Sequence, residues 1–288
     1  MNISIIYIYS FMQKQTTGIG RNTVDKFYTK PSVVELCASK IREHLNISYE
    51  RELIIEPSAG NGAFISCIKT LTKHYKFYDI EPENIEILKQ DYLELDGQLF
   101  VDRYQKIHCI GNPPFGRQSS TAIQFIKKSA TYCDSISFIL PKSFKKDSLK
   151  KHFPLKFHLL YEIDIPYKSF LVDGKEHDVP CVFQIWKKMD YCRDIVQKID
   201  PLHFIFVNKV DNPDISFIRV GVKAGTIDNK NIDEKNVQSH YFIKFTNGKS
   251  VAENINMLKS ITYDFNNTVG PKSISKQELI CKFNPLLQ

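Results

Sequence analysis

Leu53-Ile54-Ile55-Glu56-Pro57-Ser58-Ala59-Gly60-Asn61-Gly62-Ala63-Phe64 decides the fold. The apolar run before Glu56 reads as a strand buried on both faces, as in a parallel sheet. It passes straight into a glycine turn and then a helical run, the opening of a nucleotide-binding α/β unit. Gly60 and Gly62 let the backbone approach a ligand closely, and Glu56 at the strand end is placed to hold a positively charged amino group. The third glycine of the dinucleotide fingerprint is missing, which disfavours NAD.

Downstream, the strand Tyr75–Tyr78 ends in Asp79-Ile80-Glu81-Pro82, so an acid stands at the second strand tip, where ribose hydroxyls lie in such units. A short strand is expected at 85–88, and Asp91-Tyr92-Leu93 then supplies an acid for an adenine amino group, or an ordinary turn. Upstream, Phe27-Tyr28-Thr29-Lys30-Pro31 leads into an amphipathic helix carrying Val33, Val34, Leu36, Cys37, Ile41 and Leu45. Thr29 and Pro31 are start signals for it. Its positive end suits a carboxylate, although a plain surface cap reads the same way.

After a buried strand at Ile107–Ile110 comes Gly111-Asn112-Pro113-Pro114-Phe115-Gly116. The two prolines deny the chain both helix and ladder, so it leaves the sheet in a stiff extended turn. The Asn112 side-chain oxygen and the Pro113 carbonyl are acceptors for the two hydrogens of one NH2 group, with Phe115 flat against the ring that carries it. An Asx-Pro-Pro turn with a core phenylalanine is the alternative.

Taken in order, Tyr28-Thr29-Lys30-Pro31, Glu56 to Phe64, Asp79 to Pro82, Asp91-Tyr92-Leu93 and Asn112-Pro113-Pro114-Phe115 resemble the S-adenosylmethionine-dependent amino-methyltransferases, in particular the N6-adenine DNA type. The resemblance implies an α/β, Rossmann-like domain over 25–188, with a mostly parallel seven-stranded sheet whose last strand is antiparallel. It implies S-adenosylmethionine against Tyr28, Thr29, Glu56, Pro57, Ala59, Gly60, Gly62, Phe64, Asp79, Ile80, Asp91, Tyr92 and Asn112. Catalysis falls to Asn112, Pro113, Pro114 and Phe115, with Trp186 as a second aromatic on the target base and no metal. DNA is the implied partner. RNA adenine, guanine N2 and glutamine side chains are substrates of families sharing the turn, and an inactive guiding subunit is a further alternative.

The later chain fits a helix at 119–132, a strand at 135–140, closing strands at 157–163 and 179–187, and a loop at 167–175 over the site. Lys142, Lys145, Lys146, Lys150, Lys151 and Lys156, interleaved with Phe144, Phe153 and Phe157, read either as phosphate contacts or as a solvated helix face. Residues 189–288 read as a small α+β module for target recognition, packing or dimer contact, with strands at 217–221 and 240–245 and helices at 251–261 and 273–279.

The length of 288 residues and the 42% hydrophobic content suit one sizeable core with a smaller appendage. A net charge of +7 is compatible with a polyanionic partner. Seven cysteines without a CxxC pair argue against a disulfide framework or a zinc site, and place the chain in a reducing intracellular compartment, without a membrane partner. Residues 1–24 are read as an N-terminal arm, its first part too short to cross a bilayer, with Met12 as an alternative start.

Overall fold

In chain order the first elements are β1 (Tyr28–Thr29), α1 (Pro31–His44), β2 (Leu53–Glu56), α2 (Ile65–Leu71), β3 (His74–Asp79), β4 (Leu88–Lys89) and β5 (Ile107–Gly111). They are followed by α3 (Ser120–Ser129), β6 (Ser135–Pro141), α4 (Asp147–Lys150), β7 (Phe157–Asp164), β8 (Phe170–Val172), β9 (Lys175–His177) and β10 (Cys181–Lys188). This computed structural model describes residues 27–268 and 270–288. The N-terminal arm and the alternative start at Met12 lie outside the described residues.

The central sheet has seven strands in the order β4-β3-β2-β5-β6-β10-β7. β2 is parallel to β3 and β5, and β5 to β6, whereas β10 runs antiparallel to both β6 and β7. This is the Rossmann-like methyltransferase architecture, with its late antiparallel strand set between two neighbours. Strand order reverses between β2 and β5, so ligands of such sheets gather outside the carboxyl ends of these two strands.

Side chains alternate across the strands and build two cores. Ile54, Ile110, Phe183 and Ile185 join α1 and α2 on one face. Leu53, Ile55, Phe138, Val182 and Trp186 join α3 on the other. Helices on both faces explain why β2, β5 and β6 are buried throughout instead of alternating.

Several expectations are corrected. The strand at 85–88 is a turn closed by Asn84, whose Oδ1 accepts from the Glu86 N–H at 3.0 Å, and pairing begins only at Leu88. The loop at 167–175 contains a hairpin: Asp173 and Gly174 take positive φ between β8 and β9, and β8 pairs with β1. Of the two readings of the lysines after β6, the solvated face with core phenylalanines fits better, since four of the six are ion-paired. Lys142 and Lys145 pair with Asp164, Lys150 with Glu162 and Lys146 with Glu278, while Phe144, Phe153 and Phe157 are buried. Of the six lysines only Lys151 and Lys156 are exposed.

The remaining elements are β11 (Phe204–Val207), β12 (Ile215–Ile218), β13 (Ile227–Asp228), β14 (His240–Phe245), α5 (Val251–Leu258) and α6 (Lys276–Phe283). The strands form an antiparallel sheet ordered β11-β14-β12-β13, with its own core around Phe204, Phe217, Ile243, Leu279 and Phe283. Both helices open with a capping box, Ser250 with Glu253 and Ser275 with Glu278. The second helix therefore starts later than the 273 expected. Lys146 ties the two cores together, donating to the Ser273 carbonyl at 2.9 Å. No helix among the described residues is long and apolar enough to cross a membrane.

Candidate functional site

β2 ends at Glu56, which is 2% exposed and whose Oε2 has no hydrogen-bond partner among the described residues. Burial pushes its carboxyl well above the usual range, with Asp79 and Cys109 adding to the shift. Beside it β5 ends at Gly111, with φ of 151°, where a Cβ would stand 3.2 Å from Glu56 Cγ. A side chain at this position would press on the buried carboxyl. An orphaned buried carboxyl at the switch point fits a cationic amino group, which would restore the missing partner.

The loop after β2 is clamped to the tip of β3. Asp79 accepts from the Gly60 and Glu81 N–H groups, each at 2.8 Å, and the Ala59 N–H bonds the Tyr78 carbonyl at 2.8 Å. Gly60 has φ of 54° and Gly62 of 87°, and a Cβ on Gly62 would meet Ile65 Cδ1 at 2.6 Å. Gly62 therefore requires glycine, and the positive φ at Gly60 favours it. The ring of Tyr28 lies over Gly60, and its hydroxyl donates to Glu83 at 2.5 Å.

Asn112 follows β5 directly. Its Nδ2 is 3.2 Å from the Phe27 carbonyl and 3.2 Å from Thr29 Oγ1, and its buried Oδ1 has no partner among the described residues. A carbonyl only accepts, so the group facing Phe27 must be the NH2, and this fixes the amide orientation. The backbone carbonyl of Asn112 accepts from Ser58 at 3.2 Å, which joins this turn to the glycine loop. β1 is held in turn by its pairing with β8 and by the Lys30 N–H on the Ser169 carbonyl at 3.1 Å. Lys30, rather than Thr29, occupies the cap position of α1. The Thr29 hydroxyl is instead the partner of Asn112.

Tyr28, Thr29, Glu56, Pro57, Ala59, Gly60, Gly62, Asp79, Ile80 and Asn112 therefore converge on the carboxyl edge of the sheet. Pro113 is buried, while Pro114 and Phe115 are half-buried, with Phe115 packed against the α1 and α2 core. Just beyond, Gln118 and Ser119 hold positive φ, at about 1–3 kcal/mol each for non-glycine residues in such regions. Asp91 is half-buried and caps a short turn, accepting from the Leu93 N–H at 2.9 Å.

Three expected contacts belong to the core instead. Phe64 is 2% exposed among the α1 and α2 side chains. Tyr92 is buried on the opposite face, bonded to Ser129 at 2.8 Å and Tyr132 at 2.6 Å. Trp186 is opposite Ile136, at the amino end of β6, because β10 runs antiparallel and its later residues lie away from the carboxyl edge. Its ring is stacked on Phe153 at 4.0 Å, and Nε1 donates to Gln184 at 2.9 Å. It faces no base.

Other arrangements were not visible in the sequence. Phe27 stacks on His177 at 5.4 Å, a contact made by the β8–β9 hairpin. Arg193 donates to the carbonyls of Lys150, Phe153, Pro154 and Phe157 and lies over the Trp186 ring. At the amino edge, His108 bridges Glu52 Oε2 at 3.0 Å and Ser135 Oγ at 2.7 Å. The set resembles an acyl-transfer triad, but Ser135 is 1% exposed, so no substrate reaches it. It pins the starts of β2, β5 and β6.

No protein-family model and no curated protein matches the chain. Among solved structures, a proposed RNA methyltransferase from Pyrococcus horikoshii is 16% identical, with a TM-score of 0.42 over 60% of this chain and 92% of that one. The N-methyltransferase NodS from Bradyrhizobium japonicum is 10% identical, with a TM-score of 0.37 over 54% and 94%. An rRNA methylase from Streptococcus thermophilus is 11% identical, with a TM-score of 0.36 over 56% and 98%. The strand order, not these likenesses, carries the fold.

Proposed function

We propose that the chain transfers a methyl group from S-adenosylmethionine to the N6 amine of adenine in DNA. The observation that carries this reading is the Oδ1 of Asn112, a buried acceptor at the switch point that has no partner among the described residues and whose NH2 end is already fixed. Such an atom calls for a donor on the substrate, as an amine provides. The choice of adenine and of DNA rests on the resemblance of the ordered stretches from Tyr28 to Phe115.

When bound, the cofactor supplies a methyl group on a sulfonium. Glu56 would hold its amino group, Asp79 the ribose hydroxyls with the lone pairs left by Gly60 and Glu81, and Asp91 the adenine amino group. The acceptor nitrogen is a poor nucleophile while its lone pair is delocalised into the ring. Asn112 Oδ1 and the Pro113 carbonyl would draw its two hydrogens out of plane, favouring the geometry of attack. Phe115 would support the ring, and the nitrogen gives up one proton to water after transfer. A base within a duplex is out of reach, so the target is flipped out or single-stranded.

Incubation with methyl-labelled cofactor and separate DNA, RNA and protein pools tests the reading. Label recovered as N6-methyladenine in DNA supports it. Label confined to protein overturns it, and label in RNA moves the substrate to the RNA alternative.

A further inference from the structure

A second candidate site lies in the C-terminal sheet, where a cleft of about 390 Å³ opens between the end of β11, the turn after it, β14 and the start of α6. Its size falls in the small-ligand range of roughly 300–1,000 Å³, which suits one nucleotide but not a duplex. Phe206 and Tyr241 form an aromatic corner in it, their rings 5.6 Å apart at 73°. Lys209 and Lys276 stand at its sides, and no carboxylate lines it. Among the described residues neither lysine forms an ion pair, unlike Lys142, Lys145, Lys146 and Lys150; Lys209 donates only to the Lys235 carbonyl, at 3.2 Å.

Lys276 is placed against local preference. It is the first residue of α6, where the helix end is positive and an anionic side chain is favoured. Its ammonium rests 4.4 Å from the Phe206 ring centroid. That contact is weak at an exposed site, and a phosphate is a stronger partner. Moving to a phosphate would uncover the ring, which is then available to stack a base. At the rim Val210 is 89% exposed and Val237 63%, apolar surface that an occupant would cover.

We infer that this cleft binds one nucleotide of a single-stranded segment of the substrate nucleic acid, with Phe206 on the base and Lys209 and Lys276 on flanking phosphates. The inference rests on the nucleic-acid reading above. Its position suits that role: three residues before Lys276, Ser273 receives Lys146, which follows the carboxyl end of β6. The cleft is thereby anchored to the edge of the catalytic sheet that carries Asn112.

The test is fluorescence anisotropy of labelled 12-residue single strands, one of DNA and one of RNA, titrated with the full chain across a salt series. The Lys209→Ala/Lys276→Ala variant should bind about tenfold more weakly, and its salt slope should fall by about 1–2. Lys209→Arg/Lys276→Arg should restore both. Strand affinity is measured without cofactor or methyl transfer, so its outcome is independent of that of the catalytic reading. Polyglutamate should not displace the strands at equal charge concentration. The inference is overturned if the parent binds neither strand, if the alanine variant keeps its affinity and slope, or if polyglutamate competes equally.

Discussion

Asn112 is anchored to Thr29: its Nδ2 lies 3.2 Å from the threonine Oγ1, and the same nitrogen reaches the Phe27 carbonyl at 3.2 Å. β1 therefore sets which end of the amide is left for the proposed substrate. Thr29→Val keeps the shape and removes one partner, a loss of about 1 kcal/mol for a neutral hydrogen bond. Turnover should fall about fivefold to tenfold with cofactor affinity unchanged, and Thr29→Ser should restore it. A rise in cofactor Kd with unchanged turnover would instead make Thr29 a cofactor contact.

Glu56 gives a pH dependence of known sign. Its folded pKa is raised, first by burial and then by Asp79 and Cys109, above the unfolded value of about 4.3. The folded state thus favours the protonated form, and stability falls as pH rises above the unfolded value towards the folded one. Glu56→Gln should raise the Tm of the ligand-free protein at neutral pH, by about 2–4 °C per kcal/mol at this chain length. Holding an ammonium requires the ionised form, so cofactor affinity should increase with pH over the same interval, with proton release visible in calorimetry across buffers. An unchanged Tm and buffer-independent heats would remove Glu56 from that role.

Trp186 should affect stability and not base capture. Truncating a buried tryptophan stacked on Phe153 removes about 3–5 kcal/mol. Trp186→Phe, which keeps the stack, should transfer methyl groups at the parent rate below its melting temperature. A fluorescent adenine analogue at the target position should respond to that variant as to the parent. Loss of the response at full stability would return the ring to the site.

The buried bridge at the opposite edge provides a control. Although burial raises the Glu52 carboxyl, the bonds from His108 and the Ser48 N–H hold it below the usual range. Its stabilising contribution is therefore present above the unfolded pKa and lost as pH falls through the folded one. Glu52→Gln should flatten the acid limb of the Tm profile without changing cofactor affinity. A coupled loss of cofactor binding would show that the two sheet edges are linked.

What the sequence revealed was local. The glycine loop, the Asp79 tip and the Asn112 turn are short-range patterns, and each appears where expected because φ demands and strand ends are written in neighbouring residues. The errors concern residues whose role is set across the sheet. Register along β10 alone puts Trp186 at the site, but antiparallel pairing carries it to the far edge. Tyr92 is next to a candidate ligand in sequence, yet it points to the other face. Lys142, Lys145, Lys146 and Lys150 read as open to phosphate in sequence because their partners, Asp164, Glu162 and Glu278, come later in the chain. The Asp173-Gly174 hairpin turn was readable, and its pairing with β1 was not.

Asp79 is the proposed ribose ligand. It clamps two backbone N–H groups, so Asp79→Ala should both loosen the glycine loop and weaken S-adenosylmethionine binding, by about 1.5–3 kcal/mol for a charge-assisted bond. Calorimetry showing parent affinity would take Asp79 out of the site.

The central claim is that Asn112 Oδ1, which has no partner among the described residues, accepts from the amine that is methylated. The most direct measurement is the single-turnover rate of Asn112→Ala with saturating cofactor and DNA. The rate should fall by roughly 10²–10³, as when one preorganised polar group is removed, while cofactor affinity stays at the parent value. Methyl transfer by Asn112→Ala at the full parent rate would contradict the claim.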